Sequence, residues 1–313
     1  MYQEEPFDIS GEWWWSEKPE NRYYGKLNFN SDQGGYLKLL VPFSHLPMDD
    51  SELSGSVIHG LSINGDIYSL INVQKISVQG YIRGVGECEL HTHLIFKGVH
   101  ITSISEKNIQ RVVLRFKYLN RWIAVSGMKF RRLKKRRDFN FLYRTPPQKR
   151  MKIDDNLTII INFFPDYCLQ GSGNSNPLNP DGTFTIQEYI QLEFISKTIQ
   201  SWHYYAAAIR VMQDFLTIAM LRLSIPEWTM AQVKVKLSTN KQIDDRIPNA
   251  MVYSTITYRD RKTEDPNWRN FLFCEREIKQ GLNSALKSWF RVAQNNRHAR
   301  IMYLASQYSR PTL

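Results

Sequence analysis

Short segments edged by glycine fill the first part of the chain and constrain its fold more than any other feature. They follow in the order Gly11-Glu12-Trp13-Trp14, Gly25-Lys26-Leu27-Asn28-Phe29, Gly35-Tyr36-Leu37-Lys38-Leu39 and Ile58-His59-Gly60. Apolar residues alternate within them, so Leu27 and Phe29 would face the same side of a strand. Glycine in a strand marks a bulge or a close approach where a side chain would not fit. The sequence therefore predicts a sheet that wraps around a core.

Strand-like runs continue to residue 130. Asn64-Gly65-Asp66 separates two of them, and Asn and Gly tolerate the positive φ that tight hairpin turns require. We therefore expect the N-terminal half to be antiparallel and rich in β-structure, as a sandwich or a curved sheet.

The second half has a different apolar pattern. Apolar residues recur at three or four positions over residues 198–223, which predicts one long buried helix. A similar pattern predicts an amphipathic helix over residues 275–293, followed by a short helix over residues 297–308. The fold class predicted is mainly β with α (α+β), with the helices in a mixed second half.

Proline marks the predicted boundary between the halves. Thr145-Pro146-Pro147 interrupts any regular element, because proline fixes φ and lacks a backbone donor. We predict three parts: a β-rich domain of residues 1–145, a connecting segment of residues 146–154, and a mixed α+β domain of residues 155–313 with C-terminal helices.

The composition predicts a folded cytoplasmic protein. Its 313 residues are 42% hydrophobic and 13% aromatic, and the polar first ten residues do not resemble a signal peptide. Arg210 and Asp214 interrupt the most apolar helical stretch, so no membrane partner is expected. Three cysteines are odd in number, far apart and without metal-type spacing, which predicts free thiols in a reducing compartment; they are Cys88, Cys168 and Cys274.

The order of the glycine and tryptophan motifs carries a family resemblance. Continued by Gly65, Gly98-Val99-His100 and Leu119-Asn120-Arg121-Trp122, it resembles the N-terminal region of ApeA-type anti-phage defence proteins. In that family a β-rich N-terminal region precedes a helical HEPN ribonuclease domain. The similarity covers most of the chain, which stops at Leu313, where the nuclease domain would be expected to begin.

The resemblance implies a function. It implies a non-catalytic sensor or regulatory region of a prokaryotic antiviral, abortive-infection protein. Its partners would be a HEPN nuclease domain, downstream or in trans, and a phage-derived trigger.

Positive charge is concentrated in one stretch. Residues 129–152 hold eleven of the 41 Lys and Arg residues and one of the 30 acids, which accounts for +10 of the net charge of +11. Basic groups neutralise phosphates, and the interleaved Phe130, Phe139, Phe141 and Tyr143 could stack on unpaired bases. An alternative function is therefore a module that binds RNA or single-stranded DNA. The alternative without function is a solvated loop. The candidate nucleic-acid-binding residues are Arg131, Arg132, Lys134, Lys135, Arg136, Arg137, Arg144, Lys149 and Arg150.

The three consecutive tryptophans form a second candidate surface. Trp13, Trp14 and Trp15 cannot all point to one face of a strand, so at least one should contact solvent or a partner. Indole faces stack on sugars, which makes a saccharide-binding β-sandwich a further alternative. Packing between domains explains the same residues without a ligand.

No catalytic residue is predicted in this chain. Arg291 and His298 have a spacing close to the Arg and His of HEPN nucleases, but the intervening Asn295-Asn296 weakens a helix and too few residues remain for a helical bundle. We interpret both as surface residues.

Neither a metal nor a cofactor is predicted. His91 and His93 alternate on one strand face, whereas Cys88 has the opposite parity, so these groups and His100 would not converge on zinc without a bulge. Gly84-Val85-Gly86 lacks the setting of a dinucleotide site, and we interpret it as a turn.

Overall fold

The described part of the chain contains a 13-stranded sheet, a separate two-stranded hairpin and three α-helices. The computed structural model describes residues 5–42, 56–80, 84–132, 139–167, 186–234, 248–255, 267–278 and 280–295. The strands are β1 Phe7–Trp15, β2 Tyr23–Asn30, β3 Gly34–Pro42, β4 Ser56–Ser62, β5 Ile67–Gly80, β6 Val85–Thr92, β7 Leu94–Lys97, β8 Ile109–Phe116, β9 Met128–Arg132, β10 Phe139–Tyr143, β11 Lys149–Lys152, β12 Leu157–Tyr167, β13 Ile186–Gln200, β14 Pro226–Val233 and β15 Asn249–Ser254. The helices are α1 Leu119–Ile123, α2 Trp202–Met220 and α3 Leu282–Asn295, with short 3-10 helices at Trp268–Asn270 and Glu275–Glu277.

The first six strands close into a barrel. Each pairs antiparallel with its neighbour in the order β4-β1-β2-β3-β6-β5, and β5 pairs again with β4. Alternation within the strands points one set of side chains inward. The interior is apolar and contains Trp13, Tyr23, Leu27, Phe29, Leu37, Leu39, Val41, Ile58, Tyr68, Leu70, Val73, Cys88, Leu90, Ile95 and Tyr253. The predicted wrapping sheet is this barrel.

The sheet continues beyond the barrel as a broad antiparallel wall. From β5 it runs in the order β7-β15-β14-β8-β13-β12-β11, and β9 and β10 form a separate hairpin. A second, larger core includes side chains of this wall and of the three helices, among them Trp122, Phe194 and Leu216. The predicted β-rich α+β fold with one long buried helix is confirmed.

The barrel and the wall share four strand segments. Neighbouring residues on one strand point into different cores: Ile58, Leu70, Ile95 and Tyr253 into the barrel, and Val57, Ile71, Phe96 and Val252 into the larger core. The four barrel-facing residues lie in one cross-strand row, since Ile58 pairs with Leu70, Leu70 with Ile95, and Ile95 with Tyr253. Because successive side chains of a strand point to opposite faces, these four strand segments separate the two cores.

Long-range pairing connects the two predicted parts of the chain. β8, from the first part, lies between β13 and β14, both from the second. The division at residues 146–154 remains a prediction. In the predicted helical region 275–293, Gly281 has φ of +78° and separates the 3-10 helix Glu275–Glu277 from α3. The predicted helix over 297–308 lies outside the described residues.

Candidate functional site

A cleft with a volume of about 450 Å³ opens where β8 ends. Its walls come from Arg115–Asn120, from Glu188–Ile190 on β13, and from Glu227 on β14. These segments meet because β8 pairs with both β13 and β14, far from it in sequence. Strand pairing therefore builds the frame of the cleft.

Charged and aromatic groups line this cleft. Arg115 Nε donates to Glu227 Oε2 at 2.7 Å, and its guanidinium carbon lies 4.5 Å from the ring centroid of Tyr189. Lys117 Nζ lies 5.4 Å from the ring centroid of Tyr118. A guanidinium over an aromatic face is attracted by the ring quadrupole. The cleft can thus contact a planar group and a charged group together.

The basic stretch lies partly on a hairpin beside the cleft. β9 and β10 pair from Met128 with Tyr143 to Arg132 with Phe139. At the hairpin base, the Gly127 N–H donates to Glu188 Oε1 at 2.6 Å, and the Gly127 carbonyl accepts the Arg144 N–H at 2.9 Å. Because Glu188 also lines the cleft, the hairpin base and the cleft are neighbours.

The predicted nucleic-acid-binding residues lie in different surroundings. Arg131 and Arg132 belong to β9, and Arg144 and Arg150 are exposed. Lys149 Nζ pairs with Glu275 Oε1 at 2.7 Å, so this lysine joins β11 to the 3-10 helix. Lys134, Lys135, Arg136 and Arg137 lie outside the described residues. Nucleic-acid binding by these nine residues remains a prediction.

The three tryptophans occupy different surroundings. Trp13 is fully buried inside the barrel, and Trp15 is half-buried with its ring 5.4 Å from that of Tyr23. Trp14 points to the outer face, where it is buried beneath the guanidinium of Arg22 at 4.5 Å. Saccharide binding by these tryptophans remains a prediction.

Trp14 is part of a cluster that sequence reasoning missed. The rings of His59 and His100 stack with centroids 4.3 Å apart and an interplanar angle of 10°, and Trp14 meets both edge-on. His59 Nε2 lies 3.2 Å from the Ile101 carbonyl oxygen, to which a neutral imidazole donates. Desolvation lowers the pKa of His59 to about 4. The motifs Ile-x-Gly and Gly-Val-His contained both histidines, but only the fold brings them together.

Cys88 and the pair His91 and His93 lie on different sides of the barrel wall. Cys88 is buried in the barrel, where desolvation raises the pKa of its thiol to about 11. His91 and His93 lie outside the barrel core with ring centroids 4.4 Å apart, and His93 Nδ1 lies 2.9 Å from Thr255 Oγ1. Among the described residues, no group of three or more His, Cys, Asp or Glu side chains is arranged to hold a metal ion.

A helix that crosses a bilayer needs about 20 predominantly apolar residues. In the part of the chain that the structure describes, no helix combines the length and apolar character needed to cross a membrane.

A comparison with protein families decides the identity. The family described as ApeA N-terminal domain 1 matches residues 8–289, from within β1 to within α3. The chain belongs to this family. It is thus an N-terminal domain of the ApeA-type anti-phage defence proteins, as the motif order predicted. No curated protein matched the chain, and no solved structure matched it.

The motif residues of this ApeA N-terminal domain are mainly packing residues. Gly25 and Gly60 flank the Trp13 ring, and Trp122 is buried with its indole N–H donating to the Phe273 carbonyl at 3.0 Å. Arg291 is exposed on α3, and His298 lies outside the described residues. Cys88 and Cys274 are free buried thiols, while Cys168 lies outside the described residues.

Sequence reasoning missed the cleft of this ApeA domain. Its residues Lys117 and Tyr118 precede the motif Leu119-x-x-Trp122, which was the only nearby signal. Tyr118 has φ of +66°, a conformation that no sequence pattern announces for a tyrosine.

Proposed function

We propose that this chain is the non-catalytic sensor and regulatory region of an ApeA-type defence protein. It acts in the cytoplasm and controls a HEPN ribonuclease domain that lies downstream or binds in trans. The observation that carries the proposal is the family match over residues 8–289, because it includes both the barrel and the wall in one N-terminal domain. A phage-derived trigger is the expected signal.

The shared strands support a role in passing on a signal. A trigger can shift a conformational equilibrium only by its difference in affinity for two states. Ile95 and Phe96 are neighbours on β7 but belong to different cores, so a displacement of this strand changes packing on both sides. Because cores are close-packed, such a displacement favours discrete arrangements over gradual deformation.

Control of the nuclease is tested in bacteria that express an ApeA-type HEPN domain. Without phage, co-expression of this chain, fused or separate, should reduce RNA cleavage about tenfold, within the range of known allosteric couplings. Infection should restore cleavage and stop growth. RNA integrity and colony counts measure both effects.

The matched control is the same HEPN domain with its catalytic residues replaced, which should not affect growth with or without this chain. Equal cleavage with and without the chain, before and after infection, would contradict the proposal. Cleavage of RNA by the purified chain that is lost on Arg291→Ala would contradict its non-catalytic part.

We also propose, as a second candidate, a single-stranded nucleic-acid-binding function for the basic hairpin. The observation that favours it is the pairing of β9 and β10, because Arg131 and Arg132 belong to β9 of this hairpin. Basic groups beside aromatic side chains suit the backbone and the bases of an unpaired strand.

Salt dependence tests this second function. The affinity for single-stranded RNA or DNA should fall with salt, with a log-log slope of about −0.7 for each phosphate contacted. Replacing both Arg131 and Arg132 by Gln should make the slope shallower, whereas replacing the exposed Lys18 and Lys107 by Gln should leave it unchanged. A flat salt response of the unmodified chain would remove this candidate, and such a response is what a neutral sugar would give.

A further inference from the structure

We propose that the cleft at the end of β8 binds a nucleotide, whose base stacks on the aromatic and guanidinium planes of the cleft and whose phosphate contacts Lys117. This site requires neither control of a nuclease nor nucleic-acid binding by the basic hairpin. It follows from the size of the cleft, its aromatic faces and the ammonium of Lys117, which makes no ion pair within the described residues.

The size of the cleft fits a small molecule. Its volume of about 450 Å³ lies within the range of roughly 300–1,000 Å³ that is typical of ligand sites. The walls from β13 and β14 are held by strand pairing to β8, as in Leu192 with Leu114 and Thr229 with Leu114. Much of the site therefore exists before a ligand arrives.

Two half-buried tyrosines supply aromatic faces. Tyr189 already carries a planar group, because the Arg115 guanidinium lies 4.5 Å from its ring centroid. The 2.7 Å bond to Glu227 holds that guanidinium in place. Arginine planes and tyrosine rings both stack on nucleobases. A base entering beside them finds a surface of the right kind already ordered.

Lys117 supplies the charge. Lys117 is half-buried, and within the described residues its ammonium makes no ion pair. Of the two carboxylates of the cleft, Glu227 pairs with Arg115, and Glu188 accepts a hydrogen bond from the Gly127 N–H. The charge of Lys117 is therefore available for an anion, and a phosphate is the anion that accompanies a planar base.

Tyr118 adds an observation about the backbone. Its φ of +66° is uncommon for a bulky aromatic residue, and such conformations persist where the surrounding structure enforces them, often at ligand sites. Here the conformation occurs in a residue that lines the cleft, next to Lys117. The unusual backbone and the unpaired ammonium thus occur side by side.

The nucleotide has two possible sources with the same chemistry. It is either a free nucleotide or one unit of a single-stranded RNA, which could extend from the basic hairpin whose base is bonded to Glu188. The two are distinguished by comparing mononucleotides with a short RNA.

Calorimetric titration of the whole chain tests the site. The probes are AMP, GMP, adenosine and a single-stranded hexanucleotide RNA. The variants are Lys117→Met, which keeps the aliphatic stem, and Tyr118→Asn, since Asn tolerates positive φ. Lys107→Met is the matched control, because this exposed lysine precedes β8 whereas Lys117 follows it. Circular dichroism confirms that each variant is folded.

The expected results distinguish recognition of the base from recognition of the phosphate. Tyr118→Asn should weaken nucleotide binding on the order of tenfold, as loss of base stacking does. Lys117→Met should weaken binding of AMP but not of adenosine, and Lys107→Met should change neither. If only the RNA binds and Lys117→Met weakens it, the nucleotide is a unit of RNA. Absence of binding at millimolar concentrations of every probe, or equal losses in Lys117→Met and Lys107→Met, would overturn the proposal and leave the control of a nuclease unaffected.

Discussion

Replacing Trp13 by alanine should lower the free energy of unfolding by about 3–5 kcal/mol, the usual cost of removing a large buried aromatic side chain. Trp13 is fully buried among the barrel residues, and its indole N–H donates to the Gly25 carbonyl at 3.2 Å. Loss of the ring would leave a cavity that paired strands cannot easily close. Urea unfolding followed by circular dichroism measures the change.

The matched control for this prediction is Tyr24→Ala. Tyr24 lies on the adjacent strand β2 but points outward and is 69% exposed, so its removal should change stability by less than about 0.5 kcal/mol. Equal losses in both variants would contradict the inward orientation of Trp13.

Gly60 provides a direct test of the contact with Trp13. A Cβ at Gly60 would overlap the Trp13 ring, so Gly60→Ala should cost about 1–3 kcal/mol. In the Trp13→Ala background the same change should cost much less, because the ring is no longer there. A coupling energy near zero in this double-mutant cycle would show that the two residues do not touch in solution.

Local patterns predicted several strands of the N-terminal half and the long helix, but they did not predict β13 or the helix α1, which lies within the region of strand-like runs. Alternation of Leu27 with Phe29 indicated the inward face, and both are barrel core residues. Asn64-Gly65-Asp66 predicted a hairpin, and Gly65 has φ of +83° between the paired strands β4 and β5. These features depend on neighbouring residues, which is why a single sequence shows them.

The cleft and the histidine stack depend instead on distant pairing. Leu114 pairs with Leu192 on one side and with Thr229 on the other, across separations that no periodicity encodes. His59 and His100 likewise meet only because the segment after β7 lies over β4. The family motifs contained these histidines, but a motif does not state which residues become neighbours.

Acid should destabilise the chain through His59. Desolvation lowers the pKa of this histidine to about 4 in the folded state, against an ordinary value near 6.5. Below pH 6.5 the unfolded chain therefore binds a proton at His59 that the folded chain does not. The contribution of His59 to the free energy of unfolding is complete above pH 6.5 and is lost as the pH falls toward 4. Linkage gives a loss of about 2 kcal/mol by pH 5 and about 3 kcal/mol by pH 4.

The surroundings of His59 explain why protonation is costly. His59 is 8% exposed, and the groups around it are Trp14, His100 and the Ile101 carbonyl, none of which is an acid. Desolvation lowers the pKa of His100, and the charge of Arg22, whose guanidinium lies over Trp14, lowers it further. A charged His59 would therefore meet aromatic faces and a second imidazole, and these contacts among the described residues include no compensating carboxylate.

His59→Gln isolates this contribution from the general effect of acid on carboxylates. Glutamine retains an amide donor for the Ile101 carbonyl but does not titrate, so between pH 7 and pH 5 the variant should lose about 2 kcal/mol less than the unmodified chain. His203→Gln, at an exposed position on α2, is the control and should follow the unmodified chain. Parallel pH profiles for all three proteins, from urea unfolding at each pH, would mean that His59 is protonated in the folded barrel and that the stack does not exclude its charge.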